Sequence, residues 1–328
     1  MAEHSGTKAV VAALLANLGI AITKFVAWAL TGASSMLAEA IHSVADSGNQ
    51  VLLLLGGRRA QRKATPEHPF GYGRVRYLFA FIVSIVLFSI GGLFALYEAF
   101  HKYEDVHAGH PAQLLDSGWW WLPIVVLVAA IVMESLSLRT AIVESNRSRG
   151  RRSWVQFVRR AKAPELPVIL LEDLGALVGL VLALIGVGMS LLTENAYWDV
   201  AGTAAIGVLL VAIAVTLAVE MSSLLIGEGA VAEKVEAIVD AIVDGDDIGR
   251  VIHLRTLYIG PDELLVAAKI AVSGDQSGQE IAVAINQAQV RIRAAVPEAI
   301  HIYLEPDIDR RSTLAAVSDD HVASRGLS

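Results

Sequence analysis

The stretch from Ser34 to Leu55, SSMLAEAIHSVADSGNQVLLLL, is long and apolar enough to cross a bilayer, yet it carries Glu39, His42, Asp46 and Asn49. On a helix of about 3.6 residues per turn those positions fall on one stripe. An imidazole, two carboxylates and an amide are costly to bury in a greasy helix. Such residues mark an ion path, a proton relay or a metal site. His42 and Asp46 are one turn apart, so both can reach one ion from one helix, the imidazole suiting borderline cations and the carboxylate supplying charge. The plainer use of the same groups is a hydrogen bond between helices.

Composition agrees with a membrane setting. The 328 residues are 55% hydrophobic and only 18% charged, with a mean hydropathy of +0.55, where a soluble chain carries about 25% charged residues. The chain has no cysteine, which excludes disulfides, thiolate metal sites and cysteine nucleophiles. A formal charge of −7 gives no sign of nucleic-acid binding. MAEHSGTK lacks the basic start and cleavage site of a signal peptide, so the first apolar segment is expected to stay in the mature protein.

Six segments are long enough to span, near 9–31, 34–55, 78–100, 120–138, 167–192 and 198–225. Basic residues crowd the loops 56–77 and 139–166, whereas the loop 101–118 holds only Lys102. The positive-inside rule then puts both termini and both basic loops in the cytoplasm, in a cell inner or plasma membrane. Trp119, Trp120, Trp121, Tyr197 and Trp198 fit an interfacial belt on the outer side. Arg151–Lys162 interleaves Trp154, Phe157 and Val158 with cations and is expected to lie along the inner surface as an amphipathic helix.

Two ligands do not hold a divalent ion, and the fifth span offers more. Leu170–Ala176 contains Glu172 and Asp173, adjacent carboxylates about 100° apart on a helix. One is expected to face the ion and the other a neighbouring helix or water. Gly175 and Gly179 form a small-xxx-small seam for close helix approach. Asn17, Lys24, Glu134 and Asp199 are expected to stand behind the ligands or to pair charges. His68, before Pro69-Phe70-Gly71, is a candidate accessory cation residue, although the turn alone explains that run. His101, His107 and His110 have an ordinary reading as exposed histidines.

After residue 226 the composition becomes that of a soluble domain. Helical 230–243, strand-like 250–258 and 264–272 around Gly260-Pro261, helical 279–295 and a short strand 299–304 give the order α-β-β-α-β. This predicts a small open-faced α/β sandwich with a partly antiparallel sheet. The expected division is a transmembrane domain at 1–226, a cytoplasmic α/β domain at 227–306 and a flexible tail at 307–328.

These motifs resemble those of the cation diffusion facilitators, proton-coupled exporters of divalent metal with six spans and a cytoplasmic C-terminal domain. The resemblance is carried by MLAEAIHSVADSGNQ, HPFGYGRVRY, LLEDLGALVGL and IHLRTLYIGPDELLV, and extends from about residue 7 to 306. It is most similar to the branch with Glu-Asp in the fifth span. The resemblance implies a ferredoxin-like, metallochaperone-like soluble domain, a homodimer, no prosthetic group, and protons and metal as substrates. It also implies a site of four ligands, two from span two and two from span five. His42 and Asp46 match the first pair and Asp173 the last ligand, but Ile169 stands at the remaining position and cannot bind metal. Glu172 is the favoured replacement, with Glu39 or a water as the other options; Asn49 and Asn17 would support them. A histidine in span two is similar to zinc-selective members. Tyr72, Ile252, Ala268 or Lys269, Tyr303 and Glu305 occupy positions where some members bind accessory metal, with His253 and His301 out of register.

The expectation is therefore a non-enzymatic membrane exporter of divalent cations, zinc first, working by alternating access. A manganese- or iron-preferring exporter and a transport-deficient metal sensor or scaffold are the alternatives. A membrane metalloenzyme is disfavoured by the lack of HExxH or GxSxG in a span, and an ATP-driven pump by the lack of a P-loop.

Overall fold

The computed structural model describes residues 2–108, 118–245 and 247–308, with side chains described from Asn17 onward except Ser148. It divides into two compact units, Met1–Leu225 and Ile226–Ser328.

The first unit is helical. Its long helices are α1 (Ala2–Thr31), α2 (Ser34–Ala60), α3 (Val75–His107), α4 (Leu122–Arg149), α6 (Glu165–Thr193) and α7 (Tyr197–Ile226). The short α5 (Trp154–Arg160) lies between α4 and α6. Among the described residues, α3, α4, α6 and α7 are each long and apolar enough to cross a membrane, and α1 contributes the shorter apolar run Asn17–Thr31. The length of α2 suffices for a span, but its polar stripe keeps it from being apolar throughout. A helical membrane domain is thus built as the sequence leads one to expect.

The helices overrun the apolar segments. α3 continues to His107 and α4 to Arg149, so the expected loops at 101–118 and 139–166 start later than hydropathy alone suggests. Past the apolar core these turns are carried by local pairs, with Arg147 3.0 Å from Glu144 on α4 and Tyr103 stacked on His107 on α3. His101 likewise stacks on Tyr97, and His110 lies outside the described residues.

Local chemistry sets the entry to α2. Gly32 sits at φ 64°, a left-handed conformation that glycine adopts without a Cβ clash, and its N–H closes on Trp28 O at 2.7 Å. No side chain of the turn itself caps α2. The carboxylate of Asp199 on α7 does so instead, accepting from Ser34 N at 3.1 Å, Ser34 Oγ at 3.0 Å and Ser35 Oγ at 2.5 Å. An anion at a helix N-terminus satisfies open N–H groups and complements the helix dipole.

Small residues bring the helices together. Gly175 packs against Ile213 of α7, whereas Gly179 packs against Glu39 of α2, so the expected seam serves two neighbours rather than one. α3 contains a π-helical segment, Leu87–Leu93, whose Gly91 and Gly92 are buried. Wide turns of this kind are found often at functional positions. α5 starts with a capping box between Ser153 and Gln156. Its Phe157 is 2% exposed and sits with Leu138, Ala141 and Leu170, while Trp154 stays more open beneath Arg149. The helix is anchored by one buried aromatic rather than by its whole apolar face.

The second unit has α8 (Ala232–Val243), β1 (Arg250–Gly260), β2 (Glu263–Val272), α9 (Gly278–Ala295) and β3 (Ala299–Ile308). β2 pairs antiparallel with β1 and parallel with β3. α8 and α9 bury Ile238, Ile242, Ala288 and Ile292 against Val266, Ile270 and Ile302 of the sheet. The expected α-β-β-α-β unit is present. β3 runs further than the expected 299–304, because Lys269 of the neighbouring strand pairs with both Glu305 (3.3 Å) and Asp307 (2.9 Å). Hydrogen bonds to Asp307 and Glu305 raise the Lys269 pKa. The expected flexible tail beyond Ile308 lies outside the described residues.

Candidate metal centre

The polar stripe of α2 does not stay together. Glu39 is fully buried and is bound by Lys24 of α1, with Nζ 3.0 Å from Oε2. The same ammonium donates to Ser43 Oγ at 2.8 Å. The other Glu39 oxygen makes no hydrogen bond and lies against Gly179, where a Cβ would come within 2.8 Å of it. Glu39 is therefore engaged by a cation of the protein itself.

One turn further along, His42 is 1% exposed, and neither ring nitrogen makes a hydrogen bond. Its Nε2 lies 3.5 Å from Asp46 Oδ2. On the Nδ1 side is the π-helical segment, where a Cβ on Gly91 would stand 3.8 Å away. The wide turn and the missing side chain of Gly91 make room for the ring.

Asp46 opens onto a cavity of about 30 Å3 whose wall is made by Asn17 and Ile20 of α1, Ser43, Asp46 and Gln50 of α2, Glu134 and Ser137 of α4, and Ile169, Glu172 and Asp173 of α6. That volume accommodates one or two water-sized bodies, which suits an ion stripped of most of its hydration shell. The wall carries four carboxyl groups and otherwise hydroxyl, amide and apolar surface. His42 faces Asp46 but is not part of the wall itself.

Both carboxylates of the Glu172-Asp173 pair reach this cavity, contrary to the expectation that only one would. Glu172 accepts from Asn49 Nδ2 of α2 at 3.1 Å, and Asp173 accepts from Ser137 Oγ of α4 at 2.9 Å. The cavity lies where α6 meets two neighbours, so side chains about 100° apart on α6 each find a partner and still line one space. Asp46 and Glu172 both line this cavity, from α2 and α6.

Asn49 orients Glu172, and Asn17 lines the cavity; Ile169 contributes apolar wall. His68 lies apart, in the exposed loop before α3, with its ring edge-on to Tyr72 at 4.6 Å. Among the described residues no three histidine, aspartate or glutamate side chains converge into a ready-made metal cluster. The candidate ligands instead hold one another and their neighbours. Glu134, Ser137, Ser43 and Gln50 were not expected in the wall; the available signal was Glu134 and Ser137 spaced one turn apart in an otherwise apolar span.

Residues 10–226 match the family model for the cation efflux transmembrane domain. The chain is 31% identical over 271 residues to the proton-coupled zinc antiporter SLC30A9, mitochondrial, of Xenopus laevis, covering 81% of this chain and 47% of that protein. It is 24% identical over 274 residues to metal tolerance protein C4 of Arabidopsis thaliana, covering 83% of this chain and 58% of that protein. The chain thus spans about half the length of these curated relatives. A solved MamM C-terminal domain is 20% identical, with 23% of this chain and 90% of that one covered and a TM-score of 0.22.

Proposed function

Because the chain belongs to the cation diffusion facilitator family, a family of membrane metal-cation transporters, we propose that it exports divalent metal from the cytoplasm in exchange for protons. The observation that carries this reading is the cavity between α2, α4 and α6, lined by Asp46, Glu172 and Asp173 and approached by His42. Carboxyl groups gathered in a membrane core need compensating positive charge. Protons on those carboxyl groups supply it in one state and a bound dication in another. Metal and protons compete for the same lone pairs. In this reading metal enters from the cytoplasm, displaces protons at His42, Asp46, Glu172 and Asp173, and is released outward when the bundle reopens and protons return. Both termini are cytoplasmic, the membrane is a cell inner or plasma membrane, and the soluble units pair in a homodimer.

Zinc is the first cargo, supported by the imidazole beside Asp46 and by the similarity to proton-coupled zinc antiporters. One observation favours a second reading: the cavity wall presents oxygen donors only, which suits manganese or iron(II) better than zinc. A transport-deficient sensor remains the reading to exclude, since Ile169 removes a donor. Flux of Zn2+, Mn2+ and Fe2+ into proteoliposomes at two pH values decides among these. The expected result is metal uptake opposed by proton movement, abolished by Asp46→Ala and by Asp173→Ala in protein that still folds. Uptake by both variants at the wild-type rate would overturn the assignment, and no flux of any metal by the wild type would favour the sensor.

A further inference from the structure

The ion site is one donor short at Ile169, and Ile169 is itself part of the cavity wall. Another part of that wall is Glu134, from a helix outside the two expected to bind metal. Around it α4 is apolar, with Val132, Met133 and Leu136 exposed as side chains facing lipid would be. Glu134 and Ser137, one turn apart, sit on the cavity side, and Ser137 holds Asp173 there. Among the described residues the Glu134 carboxylate has no hydrogen bond and no ion pair. A carboxylate in a membrane span without such a partner is costly unless something that enters the cavity neutralises it.

Independent observations say what enters. Asp46 Oδ1 and Gln50 Oε1, both on cavity-lining residues, are buried without hydrogen-bond partners. The buried His42 directs an unbonded Nε2 at Asp46. Carboxylate and amide oxygens offer lone pairs, which a cation satisfies and an anion does not. Lys24, the buried cation nearby, is engaged by Glu39 and Ser43.

We infer that Glu134 is a direct ligand of the transported divalent cation, supplying from α4 the donor that Ile169 lacks. The ion is then held by carboxylates of three helices, Asp46 of α2, Glu134 of α4, and Glu172 and Asp173 of α6. The inference rests on the cavity being the ion site, and the experiment separates the two.

The test is Co2+ binding to the purified full chain in detergent, read by visible absorption, with Zn2+ competition. Glu134→Gln is isosteric and is expected to weaken both ions by at least about tenfold, as loss of support at a metal site does, and to change the spectrum of the Co2+ that still binds. Glu134→Asp should recover part of the affinity, and Glu144→Gln, on the exposed face of α4, should behave as wild type. If Glu134→Gln keeps wild-type affinity and spectrum while Asp46→Asn loses binding, Glu134 is not a ligand and the cavity reading stands. A lower melting temperature with an unchanged Co2+ spectrum would overturn the inference in the same way. If Asp46→Asn also binds as wild type, the cavity is not the site, and both readings fall.

Discussion

Lys24 and Glu39 lie on different helices yet form an ion pair of 3.0 Å, with side chains only 4% and 0% exposed. A buried pair of this kind contributes little net stability over an apolar pair of similar volume, but removal of one member leaves an uncompensated charge. Lys24→Met alone is expected to destabilise the protein by about 3–5 kcal/mol, seen as a lower melting temperature in detergent. Lys24→Met with Glu39→Met should recover most of that loss. Metal binding should survive in the double variant, since Glu39 is held by Lys24 and lies outside the cavity wall. Its loss there would return Glu39 to the ligand set.

Asp199 caps a helix that begins 165 positions earlier in the chain. Asp199→Ala removes the acceptor of Ser34 N–H and of the Ser35 hydroxyl in a buried place, while Ser34 Oγ keeps Thr203 Oγ1 at 3.2 Å, at a cost of about 2 kcal/mol. Asp199→Asn keeps one accepting oxygen and should lose less. Thermal unfolding of the two variants should rank them in that order, and equal stability of Asp199→Ala and wild type would deny the cap.

Two glycines of α6, two residues apart, should respond oppositely to a methyl group. A Cβ on Gly186 would lie 3.0 Å from Trp198 O and 3.2 Å from Gly202 Cα, so α7 backbone would have to move. A Cβ on Gly188 meets nothing within 4 Å. Gly186→Ala should lower the melting temperature, while Gly188→Ala should leave it unchanged or raise it through helix propensity. Matching shifts in both would mean that the α6–α7 approach is looser than these distances.

Much of this architecture is legible in the sequence because its causes are local. A run such as Val75–Val86 has no stable home but lipid or protein interior, and Gly32 announces its own turn. Alternation and the Gly260-Pro261 signal likewise reveal β1 and β2, although β3 extends past its apolar run because Lys269 reaches Asp307 from the next strand. The site is legible only as a set of candidates, since which face of one helix meets which face of another is not local. Glu39 shares a stripe with His42, but Lys24 of α1 binds it and it takes no part in the cavity wall. Glu134 looks like an isolated acid until α4 is seen beside α6, where Ser137 holds Asp173. The Glu172-Asp173 pair seems obliged to divide its attention until α6 is placed between α2 and α4.

Asn49 gives a direct measure of how far the cavity depends on such placement. It is fully buried and donates from Nδ2 to Glu172 Oε1 at 3.1 Å. That bond fixes a carboxyl of the cavity wall. Asn49→Leu keeps the volume but removes the donor, so Glu172 gains rotational freedom and the buried carboxyl loses a partner. Metal affinity should fall by about 10- to 100-fold, whereas the maximal transport rate at saturating metal should change less, because the ligands themselves remain. Asn49→Asp should be worse than Asn49→Leu, since it exchanges the donor for another negative charge beside Glu172. Concentration-dependent flux in proteoliposomes separates the two effects. A fall in maximal rate with unchanged half-saturation would show that Asn49 acts on the conformational cycle instead of on the orientation of Glu172.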